Sequence, residues 1–447
     1  MGGFEGWSRV ERSMAAAAKG AKQRLRVLVV RASFAALGGA ERELLQLLRN
    51  VDERWSVGLA TLDISSEAIE LMDGADVTIH QAATPPKWPT GGWAEVNASG
   101  SKMAEKAWQS VEIPFEQYDV IHLSVCRGTL EVLPRIPADL PVHYHCLEPP
   151  RWLYEDVLHR RLDGTPKRPL WLTKILFAQQ RRRDQRFVNR LIERPMATLS
   201  GNSPWIQQWI SELYGVSSNP SKANGEPPMR DEHQRLTEAT HLMHVIDLSM
   251  WPKKATKSEN TAYAELPAHP KEYVVTVGQV SHVKGAWSTV ESLKNTGLGL
   301  AQVGGGSDED KDALVAYGAL LGVEVVCMPR LSHLALRSLI RNARAMVSHA
   351  HKEPFGLTPI EAMAIGVPAL MVDEGGFANT MGRVKSGRLI QRGDLGAWKG
   401  AYLDAKDPEL RGAWAKAGRS YVESHFSMKV QIEALEQLFQ HSYMVED

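Results

Sequence analysis

The sequence predicts an α/β protein of two Rossmann-like, doubly wound domains in tandem, with a ligand cleft between them. Three observations carry this. Short apolar runs alternate with amphipathic helical stretches, the pattern of parallel strands joined by crossover helices. The alternation occurs twice, on either side of a Lys- and Pro-rich stretch near Trp251 to Pro270. At 447 residues, the chain is also longer than one ordinary domain. Two doubly wound domains place their binding crevice at the carboxyl ends of the strands, between the halves.

In chain order, Leu25 to Val30 reads as a buried strand, followed by a Gly38-Gly39 loop and an amphipathic helix from about Ala40 to Arg49. Val57 to Leu62 and Val77 to His80 are further strands, and the Pro-, Gly- and Trp-rich stretch Gln81 to Gly100 is a long loop. Asp119 to Leu123 and Val142 to His145 are strands, and Val157 to Arg194 is helical and polar. Ala197 to Leu199 is a strand, after which Ser203-Pro204 caps a helix that runs through Leu213. Ser217 to Thr240 reads as a flexible loop and Met243 to Ile246 as the last strand of this half. The second series has strands at Tyr273 to Val277, Leu300 to Val303, Glu324 to Cys327, Ala345 to Ser348 and Ala369 to Val372. A final helix, roughly Lys429 to His441, closes the chain. The expected division is a tail over residues 1–23, a first domain over 24–250, a linker over 251–270, a second domain over 271–425 and a terminal segment over 426–447.

Composition narrows the function. Lys+Arg and Asp+Glu are both 52, so net charge gives no argument for nucleic acid. The three cysteines, Cys126, Cys146 and Cys327, form no CxxC pair, and neither a disulfide framework nor a zinc site is expected. A cytoplasmic location fits. Met1 to Gln23 holds an Ala-rich tract without the apolar core of a signal peptide and reads as a disordered or loosely helical tail. The histidines of His349-Ala350-His351 lack a third metal ligand nearby, and no metal is expected. Arg181-Arg182-Arg183-Asp184-Gln185-Arg186 reads as a solvated helix face, with contact to anionic lipid or a phosphorylated acceptor as the alternative.

The most informative stretch is Glu353-Pro354-Phe355-Gly356-Leu357-Thr358-Pro359-Ile360-Glu361-Ala362-Met363-Ala364-Ile365-Gly366-Val367-Pro368. Its local chemistry predicts a helix with Thr358 at the N-cap, Pro359 at the first position, Glu361 at N3 and a stop at Gly366. The N–H groups from Gly356 to Ile360 would face an anion such as a phosphate. Glu353 would instead accept hydrogen bonds from hydroxyls, as on a sugar ring. Glu361 alone could be a capping-box residue.

This stretch resembles the Glu-x7-Glu signature of glycosyltransferase family 4, the retaining nucleotide-sugar transferases of the GT-B fold, and in particular its mannosyltransferase-like members. The resemblance implies that Glu353 contacts the donor sugar, that Glu361 binds the ribose hydroxyls, and that Phe355, Gly356, Leu357 and Thr358 line the donor site. It covers about residues 25 to 425. Val277-Gly278-Gln279-Val280-Ser281-His282-Val283-Lys284-Gly285 resembles the family's Gly-Arg-x4-Lys-Gly segment, whose Arg and Lys neutralise the donor diphosphate. Lys284 matches, whereas Gln279 replaces a bidentate cation by a neutral amide. A solvated surface lysine is the other reading of Lys284. Gly38-Gly39-Ala40-Glu41-Arg42 resembles the loop that approaches the diphosphate, although a tight strand-to-helix turn explains Gly38 and Gly39 equally. Val303-Gly304-Gly305-Gly306 resembles a loop beside the nucleotide, Met328-Pro329-Arg330-Leu331 the segment that holds the base, and Asp373-Glu374-Gly375-Gly376 the family's Asp-x-Gly-Gly loop.

His145-Cys146-Leu147-Glu148-Pro149-Pro150-Arg151-Trp152-Leu153-Tyr154 resembles the mannosyltransferase-like Tyr-Cys-His-Glu-Pro-Pro-Arg-x-Leu-Tyr segment. The family's catalytic histidine position is Leu147 here. His145, two residues earlier and on the same strand face, either takes over that work or is structural. The resemblance implies a retaining, metal-independent transfer of a hexose-type sugar from a nucleotide-diphosphate sugar, GDP-linked and mannose-like, as co-substrate and without a cofactor. The acceptor is a small molecule, glycan or lipid-linked group. Lys284 would stabilise the leaving diphosphate. The alternative is a nucleotide-sugar-binding protein with lost or altered catalysis. A sugar-nucleotide epimerase on the same fold is disfavoured by the Glu-Pro-Phe-Gly-Leu pattern.

Overall fold

In the computed structural model, described for residues 24–51, 55–88, 99–382 and 384–443, the chain builds two large parallel sheets and a two-stranded one that pairs Ser33–Phe34 with Asp63–Ile64. The tail expected over residues 1–23 lies outside the described residues, as do residues 89–98 of the loop expected after Gln81.

The first sheet holds β1 (Leu25–Val30), β2 (Trp55–Thr61), β3 (Val77–Gln81), β4 (Val120–Ser124), β5 (Val142–Cys146), β6 (Ala197–Gly201), β7 (Ser217–Ser218) and β8 (Glu238–His241). Their spatial order is β3-β2-β1-β4-β5-β6-β8-β7. The second sheet holds β9 (Tyr273–Val277), β10 (Gly299–Val303), β11 (Val325–Met328), β12 (Met346–Ser348), β13 (Ala369–Val372) and β14 (Gly387–Ile390), in the order β11-β10-β9-β12-β13-β14. In both large sheets the strand order reverses beside the first strand, the topological switch point where α/β sheets bind ligands.

The core follows the strand period of two. In β1, Leu28 and Val30 belong to one apolar layer and Val27 and Val29 to the opposite one. The terminal helix α7 (Met428–Tyr443) supplies Ile432, Leu435, Leu438 and Phe439 to that second layer of the first sheet. A chain that has completed the second sheet thus returns to the first.

Several sequence expectations are corrected. Met243 to Ile246 is not a strand; the last strand of this half is Glu238–His241, which begins inside the stretch read as a flexible loop and pairs with Ser217–Ser218 at the sheet edge. Glu238 hid it, because a buried acid breaks an apolar pattern. Its carboxylate is neutralised by a salt bridge to Lys222, and both side chains are nearly buried. The polar stretch Val157 to Arg194 is not one helix. A 3-10 turn and an Arg160–Pro166 bridge precede α2 (Leu170–Leu176) and α3 (Ala178–Ile192). The linker contains a helix, α4 (Lys257–Ala264), with Thr256 and Glu259 forming a capping box. Strand β14 was not anticipated.

Candidate active site

Four strand ends and two helix starts build the cleft. After β9, the chain turns through Gly278 and Gln279 and reaches Lys284, directly before α5 (Ala286–Leu293). After β12, it passes Glu353 and enters α6 (Leu357–Ala364). These two segments meet: Lys284 Nζ lies 3.1 and 2.8 Å from Glu353 Oε1 and Oε2. The pair is partly exposed, Lys284 at 35% and Glu353 at 20%, so a ligand can reach both groups.

Helix α6 does not start as its local sequence suggests. Its N-cap is Gly356 at φ 90, not Thr358, and no side chain caps it. Glu361 therefore sits one turn inside the helix rather than at N3. The start is fixed by tertiary packing: a Cβ on Gly356 would lie 2.5 Å from the ring of Phe377. At that φ only glycine is unstrained. The helix presents N–H groups without a side-chain partner, which suits an anion.

Glu361 gains no structural role in exchange. Among the described residues, no hydrogen bond or ion pair engages its carboxylate, although part of the side chain still meets solvent. Burial pushes its carboxyl up to about 7. A carboxylate held at this disadvantage, beside an uncapped helix start, is a candidate functional group.

The first domain supplies the opposite wall. Gly38 leads into α1 (Gly39–Asn50), and its N–H donates to Glu41 Oε2 at 2.9 Å. Glu41 is also bonded to Arg31. This places Gly39 against α6, where a Cβ would lie 2.9 Å from Leu357 Cδ1. Arg330 ties the same loop down by donating to the Leu37 carbonyl at 2.8 Å. Gly304 lies where a Cβ would stand 2.4 Å from the Gly278 carbonyl oxygen, so the loops after β9 and β10 touch through their backbones.

Of the residues expected to hold a donor, Lys284, Glu353, Gly39 and Leu357 are brought together. Gln279 is exposed on the Lys284 loop. Phe355 differs from expectation: its side chain is 2% exposed and packs edge-on against His244 at 5.1 Å. It belongs to the core, and only its backbone faces the helix start. His145 lies deeper, lining a small cavity with Ala40, His122 and Leu147. It is 5% exposed, with Nδ1 2.9 Å from Ser200 Oγ. His122, His143 and His244 lie at ring distances of 6.0, 6.1 and 6.0 Å. Burial pushes its imidazole well below the ordinary range, and the neighbouring histidines add to this. No hydrogen bond or ion pair joins it to Glu353 or Lys284 among the described residues. His145→Ala should therefore lower thermal stability and leave kcat within a few-fold; a large kcat loss at unchanged stability would make His145 catalytic.

Two residues of the same segment were not singled out from the sequence. Glu148 stands close enough to Glu353 and Lys284 to feel both charges; burial raises its carboxyl, Arg151 and Lys284 lower it, and Glu353 raises it. Arg151 donates to the His351 carbonyl of the second domain at 2.8 Å and pairs with Glu155. It joins the walls instead of facing a ligand. Ser203 Oγ does the same toward the Pro354 carbonyl at 2.6 Å. Nothing in the spacing of Arg151 and His351 signals that contact.

Among the described residues, no group of three or more His, Cys, Asp or Glu could hold an ion. His349 stacks on Trp398 at 3.9 Å and meets Thr289 Oγ1 at 3.2 Å.

With this geometry in place, comparison with known proteins is informative. Residues 259–421 match the model of the family described as Glycosyl transferases group 1. The chain is similar to a glycogen synthase of Mycobacterium tuberculosis, 27% identical over 263 residues, covering 54% of this chain and 61% of that protein. It is also similar to the lipopolysaccharide core biosynthesis mannosyltransferase LpsB of Rhizobium meliloti, 27% identical over 45% of this chain and 60% of that protein. The chain thus spans about 60% of the length of these relatives. Among solved structures, sucrose-phosphate synthase from Thermosynechococcus elongatus superposes with a TM-score of 0.65 at 18% identity, covering 93% of this chain and 98% of that one. Anabaena HepE, solved with UDP and glucose, gives 0.61 at 15% identity over 93% of this chain and 99% of that one. Residues 259–421 thus match the group 1 glycosyl transferases, and the chain as a whole has the GT-B fold of the structures on which it superposes.

Proposed function

We propose that the chain transfers a hexose-type sugar, with retention, from a nucleotide-diphosphate sugar to an acceptor hydroxyl. The donor favoured is GDP-linked and mannose-like, on the Glu148-Pro-Pro-Arg-Trp-Leu-Tyr154 segment. One observation carries the reading: the Lys284–Glu353 pair lies beside an uncapped helix start, with Glu361 unpartnered one turn further on.

In this reading the diphosphate lies across the starts of α5 and α6. Glu361 accepts from the ribose hydroxyls and Glu353 from the sugar hydroxyls. The bond from the anomeric carbon to the diphosphate oxygen breaks, and Lys284 and the helix N–H groups stabilise the charge that develops there. The acceptor oxygen bonds to the same carbon from the leaving group's face, and its proton passes to the departing diphosphate. No step calls for a divalent ion.

Calorimetry with GDP, UDP and ADP in the presence of EDTA tests this. One nucleoside diphosphate should bind without metal. Binding that is lost in EDTA and restored by a divalent ion would contradict the metal-free reading.

A second reading, a nucleotide-sugar-binding protein with altered catalysis, is favoured by Gln279 and by the burial of His145. Gln279→Arg bears on it. If the amide is a weakened clamp, the arginine should tighten diphosphate binding by about tenfold through charge-assisted bonds. Flat or weaker binding would place another cation at that position.

A further inference from the structure

A surface of the first domain carries a second inference; its Arg160–Pro166 turn abuts the Lys284 loop, where a Cβ on Gly164 would lie 3.1 Å from the His282 ring. Exposed large apolar side chains such as Leu320, Leu403 and Met229 are scattered singly over the molecule, which is ordinary for a protein surface. Helix α2 is different. Trp171 is 65% exposed and Ile175 is 64% exposed. One helical turn apart, they share a face. The helix is followed by Phe177, against which the half-exposed Trp152 packs edge-on at 5.1 Å.

The charge around this face is one-sided. Between Arg160 and Lys174 the sequence holds five basic residues, Arg160, Arg161, Lys167, Arg168 and Lys174, and one acid, Asp163. Asp156, which precedes the stretch, is offset by Lys174 at 3.6 Å. On the next helix, α3, Asp184 turns inward to the hydroxyls of Tyr154 and Tyr214 at 2.6 and 2.9 Å. Arg182 and Arg186 of the same helix remain exposed.

An exposed tryptophan and isoleucine rimmed by lysine and arginine match the interface of an anionic membrane. There the aromatic and aliphatic groups enter the headgroup boundary while the cations meet lipid phosphates. No described helix is long and apolar enough to cross a membrane, so the attachment would lie in the surface plane. We propose that the α2 face, centred on Trp171 and Ile175, docks the protein on an anionic lipid surface. This does not depend on the sugar-transfer reading.

Co-sedimentation of the full chain with vesicles tests it. The protein should pellet with vesicles of equal parts phosphatidylcholine and phosphatidylglycerol, much less with phosphatidylcholine alone, and less as salt is raised. Trp171→Ser with Ile175→Ser should reduce bound protein by about tenfold or more. Independently, Lys167→Glu with Arg168→Glu should do so by about fivefold or more. Trp171, Ile175 and Lys167 lie on the surface, whereas Arg168 is half-buried and donates to Thr173 Oγ1 at 3.1 Å, so a circular dichroism melt like that of the wild type is required to verify the fold of each variant. Failure of the wild type to pellet, equal binding to neutral vesicles, or unchanged binding of both variants would overturn the proposal. So would self-association that disappears in the Trp171→Ser, Ile175→Ser variant while vesicle binding is absent, since a second copy would then cover the face.

Discussion

Glu361→Gln should stabilise the free protein at pH 8 and weaken its hold on nucleotide. The carboxyl is pushed up to about 7 in the folded protein, above its ordinary value near 4.5 in the unfolded chain. Between those values the folded state binds the proton more tightly than the unfolded one, so stability falls as pH rises through the window. Above it, the ionised carboxylate costs at most ~3 kcal/mol, a cost that the amide lacks. The unfolding midpoint of the second domain should therefore rise by a few degrees at pH 8, and the gain should vanish near pH 4. Nucleotide affinity should fall by about fivefold to a hundredfold, as expected for lost hydrogen bonds to a charged group. A variant that is less stable at every pH and binds nucleotide normally would make Glu361 a structural residue. The opposite signs matter, since a residue kept against stability is kept for function.

Lys284→Met should lower kcat by about a hundredfold to a thousandfold, the scale for removing one preorganised group from a developing negative charge. The fold should tolerate it, because the Lys284–Glu353 pair is partly exposed and such pairs contribute little to stability. Donor affinity should fall less than kcat if Lys284 acts mainly on the departing diphosphate. Turnover within threefold of the wild type would return Lys284 to the role of a solvated lysine.

The parallel sheets were legible because their strands are buried on both faces and read as apolar runs, as in Val27 to Val30 and Leu300 to Val303. Elements whose apolar pattern is interrupted were not, and Glu238 with its Lys222 partner is the clear case. The Glu353 to Glu361 stretch was legible as a site, since spacing and residue type carry it. The start of its helix was not. Thr358, Pro359 and Glu361 satisfy local capping rules, yet Phe377 packed on Gly356 shifts the boundary upstream, an override by tertiary contact. His145 illustrates a similar limit. Strand alternation gave its side but not its depth, which the neighbouring strands set through Ser200 and His122. The pins that hold the cleft walls, Arg151 to His351 and Ser203 to Pro354, join positions far apart in sequence and have no local signature.

Release of nucleoside diphosphate from a panel of GDP-, UDP- and ADP-linked sugars, offered with pooled glycan and lipid acceptors in EDTA, tests the central claim most directly. At least one donor should be consumed, and both Glu361→Gln and Lys284→Met should suppress its consumption. A donor that binds the wild-type chain tightly yet is neither transferred nor hydrolysed would contradict the assignment of a transferase and leave a binding protein in its place.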